Sequence, residues 1–438
     1  METDKKQEEK SAQLLTSIAQ SLTLKGFIIG IITLLLLIPG VMIQNLIRER
    51  EDRSKETIRK INEKWSLSQT LCGPVLTIPF TTTYAEKGKE TTIEQHLLYL
   101  TPEDLNIETR LFPEERYYGI YKTILYKSEI HLSGQFAPVN QLNIENSVLH
   151  FDKAYISLGI SDLRGVTNYL NFNLNGKQYT AEIGSGNVLM DKRLVVYPEG
   201  AVTPETTEAF RFECDLNLNG SSSINFIPIG NTTRVKIEGD WKSPGFIGSF
   251  TPEYKLDDKS FNASWNVLSF NRSIPESWID NGIGEVQNAS FGVTLVDTVD
   301  HYQQNMRSAK YAFMFIALTF VVFFFVEVLT KKRIHPVQYL LVGIALILFY
   351  SLLLSISEQL NFAIAYLIAG SATIALITTY AHSVFRNKTQ TGILAFILCV
   401  LYIFLYVVLQ LEDIALLIGS IGLFIILGII MYVSRKIL

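Results

Sequence analysis

Apolar residues gather into six long runs, and the rest of the chain is arranged around them. One covers residues 26–47; five more cover 311–329, 337–356, 362–381, 393–409 and 414–433. Crossing a hydrocarbon core takes about 20 mainly apolar residues, so each run predicts a transmembrane helix. Residues 48–310 contain no apolar stretch of that length. The pattern predicts a membrane protein with six transmembrane helices and a large aqueous domain between helix 1 and helix 2. The first run is read as an uncleaved anchor: the residues before it are long, polar and partly acidic, and no Ala-x-Ala site follows Pro39-Gly40.

Within the insert the period changes. Short runs rich in β-branched and aromatic residues recur between Gly, Asn, Pro and Asp, at 75–84, 92–100, 106–112, 121–136, 154–158, 210–218, 223–228, 233–239, 261–270 and 289–296. From Phe210 to Leu218 every second residue is apolar or Cys, the signature of a half-buried strand. Asn175-Gly176 and Asn219-Gly220 suit tight hairpins. The expectation is a β-rich, sandwich-like domain over 66–310, as one body or two subdomains. Before it, residues 48–65 alternate in charge, with Glu51/Lys55 and Glu56/Lys60 spaced for i,i+4 pairing. This predicts a solvated helix continuing the first span. Residues 1–25 are expected to be a tail, with a weak apolar stripe at Leu14, Leu15, Ile18 and Leu22.

Charge orients the spans. Lys331-Lys332-Arg333, Arg386 with Lys388, and Arg435 with Lys436 lie in loops or tails on one side, whereas 357–361 and 410–413 carry only Glu358, Glu412 and Asp413. The positive-inside rule then places both termini in the cytoplasm and the large domain outside. The basic residues at 48–64 point the other way, but they lead into a long domain, for which the rule is weak. A net charge of −4 gives no reason to expect nucleic acid. Three cysteines are few for an exported domain. Cys72 and Cys214 both fall in it, either bridged or as two buried thiols.

Several segments resemble the CreD-type family of bacterial inner membrane proteins. They are Trp65-Ser66-Leu67-Ser68-Gln69-Thr70-Leu71-Cys72-Gly73-Pro74 after the charged helix, Ser157-Leu158-Gly159-Ile160-Ser161-Asp162-Leu163-Arg164-Gly165, and Asn271-Arg272-Ser273-Ile274-Pro275-Glu276-Ser277-Trp278. At the membrane, Lys310-Tyr311-Ala312, Glu327 and His335-Pro336-Val337-Gln338-Tyr339 match in the same order. The likeness runs from about Phe27 onward, and the N-terminal tail is longer than the family pattern. It implies a bacterial inner-membrane location and a part in envelope integrity, colicin tolerance and β-lactam responses. It implies no reaction.

Catalytic motifs do not fill that gap. The sequence has no H-E-x-x-H, no Walker A loop, no G-x-S-x-G and no CxxC, and its six His are scattered. No metal or cofactor is expected. The candidate residues are Glu327, the acid well inside a span, with His335 and Gln338 near it in sequence. In the insert they are Asp162 with Arg164, and Trp241 in a Pro/Gly-broken aromatic loop. Each has a bland reading beside the functional one. Glu327 either handles a proton or ligand, or neutralises the Lys331–Arg333 loop and pins the second and third spans. Asp162 and Arg164 bind something or lock a turn. Trp241 stacks on a sugar or staples a loop. The bland readings are preferred. The expected function is non-enzymatic binding or sensing through the β domain, with the bilayer and an envelope protein or glycan as partners. A transporter or lipid-handling protein, and an envelope hydrolase, are the alternatives.

Overall fold

The computed structural model describes residues 22–84, 92–140, 142, 144–184, 190, 192–204, 206–281, 286–295, 301–330, 334–411 and 415–435. The tail at 1–21, the Lys331-Lys332-Arg333 loop, Glu412, Asp413 and Lys436 lie outside these. Contacts divide the chain into a helical unit, residues 1–54 with 299–438, and a β unit, residues 55–298.

Helices α1 (Leu22–Leu35) and α2 (Leu37–Asn62) form one long rod with a local opening at Leu36. Pro39 lacks the N–H that would reach the Leu35 carbonyl, which accounts for the opening. The predicted charged helix is the continuation of α2, with Glu56 and Lys60 paired at 2.6 Å.

The β unit contains β1 (Gln69–Tyr84), β2 (Thr92–Leu100), β3 (Asp104–Tyr118), β4 (Tyr121–Phe136), β5 (Ser147–Leu149), β6 (Tyr155–Ile160), β7 (Asn171–Leu174), β8 (Lys177–Thr180) and β9 (Glu182–Gly184). It continues with β10 (Arg193–Val196), β11 (Phe210–Ser221), β12 (Ser223–Ile227), β13 (Thr232–Gly239), β14 (Gly245–Gly248), β15 (Glu253–Leu256), β16 (Phe261–Leu268), β17 (Ser277–Ile279) and β18 (Phe291–Thr294). One sheet runs β14-β18-β12-β1-β6-β10-β9, with β2, β5 and β17 branching at its β1 side; the other runs β15-β16-β13-β3-β4-β11-β7-β8. Most pairs are antiparallel, but each sheet holds one parallel pair, β1 with β12 and β3 with β13.

A single core joins the sheets. Leu76, Ile78, Ile156 and Leu158 from the first sheet and Leu105, Ile107, Leu132 and Leu216 from the second belong to one buried cluster. The sandwich is therefore one body. β11 buries alternate residues from Phe210 to Leu218, as its sequence pattern requires. Cys72 on β1 and Cys214 on β11 are separate buried thiols, and burial pushes each up to about 12.

The two Asn-Gly pairs diverge. Asn175-Gly176 makes the β7–β8 hairpin, both residues with positive φ (49° and 87°). Asn219-Gly220 lies inside β11 instead. A Cβ on Gly220 would sit 2.2 Å from Tyr126 Oη, so this glycine admits a tyrosine ring rather than turning the chain. The actual turn is at Ser222 (φ 62°), where the chain passes from the second sheet to the first.

The helical unit continues with α3 (His301–Lys310), α4 (Ala312–Thr330), α5 (Pro336–Ser357), α6 (Phe362–Phe385), α7 (Lys388–Gln410) and α8 (Ala415–Ser434). Asn361 and Asn387 cap α6 and α7 by accepting backbone N–H groups, 2.9 Å from Ile364 and 3.0 Å from Thr389. Residues 301–310, which the sequence pattern puts in the β domain, are helix in the helical unit. α3 is mainly polar and shows no apolar run; only its Tyr302-Asn305-Ser308-Ala309 stripe is buried.

Among the described residues four helices are long and apolar enough to cross a bilayer: Leu24–Asn62, α5, α6 and α7. The pair α3–α4, bent by 46°, makes a fifth if it is one span. The sixth predicted span is helical in α8, but its described apolar part, Leu417–Tyr432, is shorter than a span. The fold is thus a set of apolar helices plus a β sandwich, with four or five candidate spans among the described residues where the hydropathy pattern predicts six.

Candidate functional sites

Glu327, near the end of α4, is 6% exposed. Its Oε1 accepts from Lys25 Nζ on α1 and from the Ile334 backbone N–H (3.0 Å); its Oε2 accepts from Tyr339 Oη on α5 (3.0 Å). One carboxylate thus ties three helices. Two of the groups near it in sequence, His335 and Gln338, are engaged elsewhere. They cap the start of α5: His335 Nδ1 accepts from Val337 N (3.3 Å) and Gln338 Oε1 from His335 N (3.0 Å). Lys331 and Arg333 lie outside the described residues. Lys25 is 302 residues from Glu327, so no local pattern could have revealed it.

Asp162 and Arg164 occupy a 3₁₀ turn, Leu163–Gly165, just after β6. Asp162 is 2% exposed. Arg164 grips it through Nε (2.9 Å to Oδ1) and Nη2 (2.8 Å to Oδ2), and Nη1 donates to the Glu63 carbonyl (2.5 Å), just past the end of α2. Asp162 also accepts from Leu67 N (3.1 Å). Gln69 completes the knot: its Nε2 donates to Ser66 Oγ (2.7 Å), Asp162 O (2.9 Å) and Asn219 O (3.0 Å), and its Oε1 accepts from Asp162 N (3.2 Å). Two of the family-like segments are therefore one interlocked polar network. Every group named has a partner, which is what a buried polar structure needs.

Burial alone pushes the Asp162 carboxyl up. The bonds from Arg164 and from the Leu67 and Arg164 N–H groups outweigh it and hold the carboxyl down at about 2, below its ordinary value near 3.8. A depressed carboxyl adds stability that is fully present above its unfolded pKa and is lost as pH falls through the folded one. Acid titration of the full chain, followed by tyrosine and tryptophan fluorescence, should show stability falling between about pH 4 and pH 2. That part of the slope should be absent in Asp162→Asn.

Trp241 is partly buried against the sandwich core. Phe246 packs on Trp265 (6.1 Å between centroids), Phe250 on Phe291 (5.6 Å), and Trp265 Nε1 donates to the Phe250 carbonyl (3.0 Å). The Pro/Gly-broken loop is pinned to the core by these rings.

A further arrangement joins distant segments. His96 on β2 bonds Asp280 Oδ2 through Nδ1 (2.7 Å) and Thr82 Oγ1 through Nε2 (3.1 Å), and Asp280 Oδ1 accepts from Leu97 N (2.8 Å). A nucleophile must be reachable, whereas Thr82 is 7% exposed. The set ties the end of β17 to β2.

An extended polar surface is the outer face of the second sheet. Strand register aligns Ser264, Lys236, Glu108, His131 and Asp215 in one row across β16, β13, β3, β4 and β11. Asn266, Arg234, Asn106, Ser133 and Glu213 form the next, and Asn262, Glu238, Arg110, Glu129 and Asn217 the one on the other side. None of these positions is aliphatic, and His131 carries the one ring in them. Two depressions, about 370 and 1240 Å³, share His131 on this face. His131 Nδ1 meets Asp215 at 2.7 Å and Nε2 meets Glu213 at 3.5 Å; Arg234 meets Asp104 at 3.5 Å. Hydrogen-bonding groups of both charges fill these rows, with the exposed Phe112 ring under Arg110 at their margin, and suit a ligand rich in hydroxyl or amide groups.

Apolar helices with a two-sheet β domain inserted after the first define an integral membrane protein with a large polar-faced domain. The description "Inner membrane protein CreD" fits residues 21–438. The chain is also 31% identical over 412 residues to the Inner membrane protein CreD of Escherichia coli (strain K12), covering 92% of this chain and 90% of that one. The chain belongs to the CreD family of inner membrane proteins.

Proposed function

We propose that this protein supports envelope integrity as a non-enzymatic receptor or sensor, six times membrane-spanning, with both termini cytoplasmic and the β domain outside. The outer face of the second sheet is its binding surface. The observation behind this is the three-row polar mosaic with its 1240 Å³ depression. An antiparallel sheet exposes one polar face by default, but a depression of this size on such a face supplies a place for a partner. The amide, hydroxyl and charged groups of the three rows favour a peptide or amide-rich envelope polymer.

The test is photo-crosslinking in intact cells from Lys236 and Arg211, both solvent-facing there. Capture of a defined envelope component from these positions, and not from the exposed Glu182 on β9 of the first sheet, is expected. Equal or no capture from all three defeats the reading. Orientation is tested separately in a Cys399→Ser background. A cysteine at Lys255 should react with an impermeant maleimide added outside intact spheroplasts, and one at Lys388 only after lysis. The reverse pattern would invert the topology.

A further inference from the structure

The helical unit carries a second polar cluster, built on α3 and independent of the β-domain reading. α3 buries Asn305 to 2% exposure and Ser308 to 0%. Asn305 Nδ2 donates to the His301 carbonyl (2.8 Å) and to Ser357 Oγ on α5 (2.7 Å). A carbonyl can only accept, so the orientation of the amide is fixed by its surroundings. Ser357 gives its own proton to the Leu354 carbonyl (3.0 Å). Asn305 Oδ1 is therefore an acceptor, and it is buried with no donor among the described residues. Ser308 Oγ and Gln304 Oε1 are buried in the same condition. Three and four residues apart on a helix means neighbours on one face, so the three oxygens share a stripe.

The surroundings add charge and a break in the helix. Glu358, next to Ser357, accepts from Tyr302 Oη (3.3 Å) and lies 3.9 Å from Arg50. One turn beyond Ser308 the chain bends by 46° into α4. Gln44 on α2 donates to the Ala309 carbonyl there at 3.5 Å. Buried polar atoms are normally partnered, and membrane proteins place small-ion sites at interrupted helices. Because the orphan atoms on Gln304 and Asn305 are amide oxygens, a guest that only accepts hydrogen bonds, such as a carboxylate or phosphate, gains nothing from them. The guest must donate or carry positive charge.

We propose that Gln304, Asn305 and Ser308 form a binding site for Na⁺ at the α3–α4 break, with Glu358 supplying nearby negative charge. Buried water would satisfy the same oxygens without preferring one salt over another, which makes the two separable. The experiment uses the full chain in lipid nanodiscs, melted in NaCl or in choline chloride at equal ionic strength. Na⁺ should raise the melting temperature saturably, since a ligand bound to the folded state alone stabilises it. Ser308→Ala removes one oxygen with little change of volume and should raise the midpoint of that titration about tenfold, the loss of one good ligand contact. Asn305→Asp is isosteric and replaces an amide oxygen with a carboxylate; it should lower the midpoint. Identical melting of the wild type in both salts overturns the site. A Na⁺ response that neither variant shifts overturns its location. If Ser308→Ala does not insert, the wild type and Asn305→Asp decide.

Discussion

Replacing Glu327 by Gln should destabilise the helical unit by about 2–4 kcal/mol. A solvated pair in the headgroup region would be worth no more than about 1 kcal/mol, which is what pairing with the Lys331–Arg333 loop predicts. The partners among the described residues raise that estimate. Glu327 is 6% exposed and accepts three bonds, one from the Lys25 ammonium, whose side chain is 23% exposed. Breaking a buried pair leaves the other charge stranded, at about 3–5 kcal/mol when both are fully buried. The partial exposure of Lys25 reduces the figure. Gln keeps an acceptor for Tyr339 or Ile334 but cannot balance Lys25. Lys25→Gln in the Glu327→Gln background should restore part of the loss, giving a coupling of about 2 kcal/mol in a double-mutant cycle. Unfolding in mixed micelles measures it. Additive single effects would show that the pair contributes nothing specific. A well-inserted Glu327→Gln protein of unchanged stability but with a lost envelope phenotype would instead point to a proton- or ligand-handling role.

What could be read from the sequence was whatever repeats locally. Hydropathy marks the apolar helices because burial in lipid acts on every residue of a span. Alternation marks β11 because one face of its sheet is core and the other is water. Neither signal reports partners. Lys25 and Glu327 are 302 residues apart, and Leu67 and Asp162 are 95 apart; such pairs are set by topology. Local chemistry also misleads when tertiary packing overrides it. Asn219-Gly220 has turn composition, yet Gly220 is placed to admit the Tyr126 ring inside a strand. α3 escapes a hydropathy reading because the stripe it buries includes Asn305 and Ser308. The polar face of the second sheet was present in the alternation, but its continuity across five strands needs the register. Trp241 and its neighbours were legible as an aromatic loop, and the ring contacts identify what it is pinned to.

The interlocked network around Asp162 should be the most sensitive point of the β unit. Gly165→Ala probes it without removing a single hydrogen-bonding group. The added Cβ would fall 2.2 Å from the Asn219 carbonyl oxygen, 2.5 Å from Gln69 Nε2 and 2.8 Å from Ser66 Oγ. The first of these is backbone within β11 and cannot swing away, and Gln69 is held by four bonds. The 3₁₀ turn must therefore shift, carrying Asp162 off Leu67 N and Arg164 off the Glu63 carbonyl. Overpacking of this kind costs about 1–3 kcal/mol, and the buried groups it disconnects add about 1–3 kcal/mol each. A total of about 3 kcal/mol or more is expected, against about 0.5 kcal/mol for a change at an unconstrained surface site. Asp162→Ala should cost a similar amount by orphaning the Leu67 N–H directly. Arg164→Lys should cost less, because the Arg164 side chain is half exposed and a single ammonium can still meet one carboxylate oxygen. Thermal unfolding of the full chain gives the order Gly165→Ala and Asp162→Ala well below Arg164→Lys, with wild type highest. If Gly165→Ala melts with the wild type, the turn is looser than these contacts require.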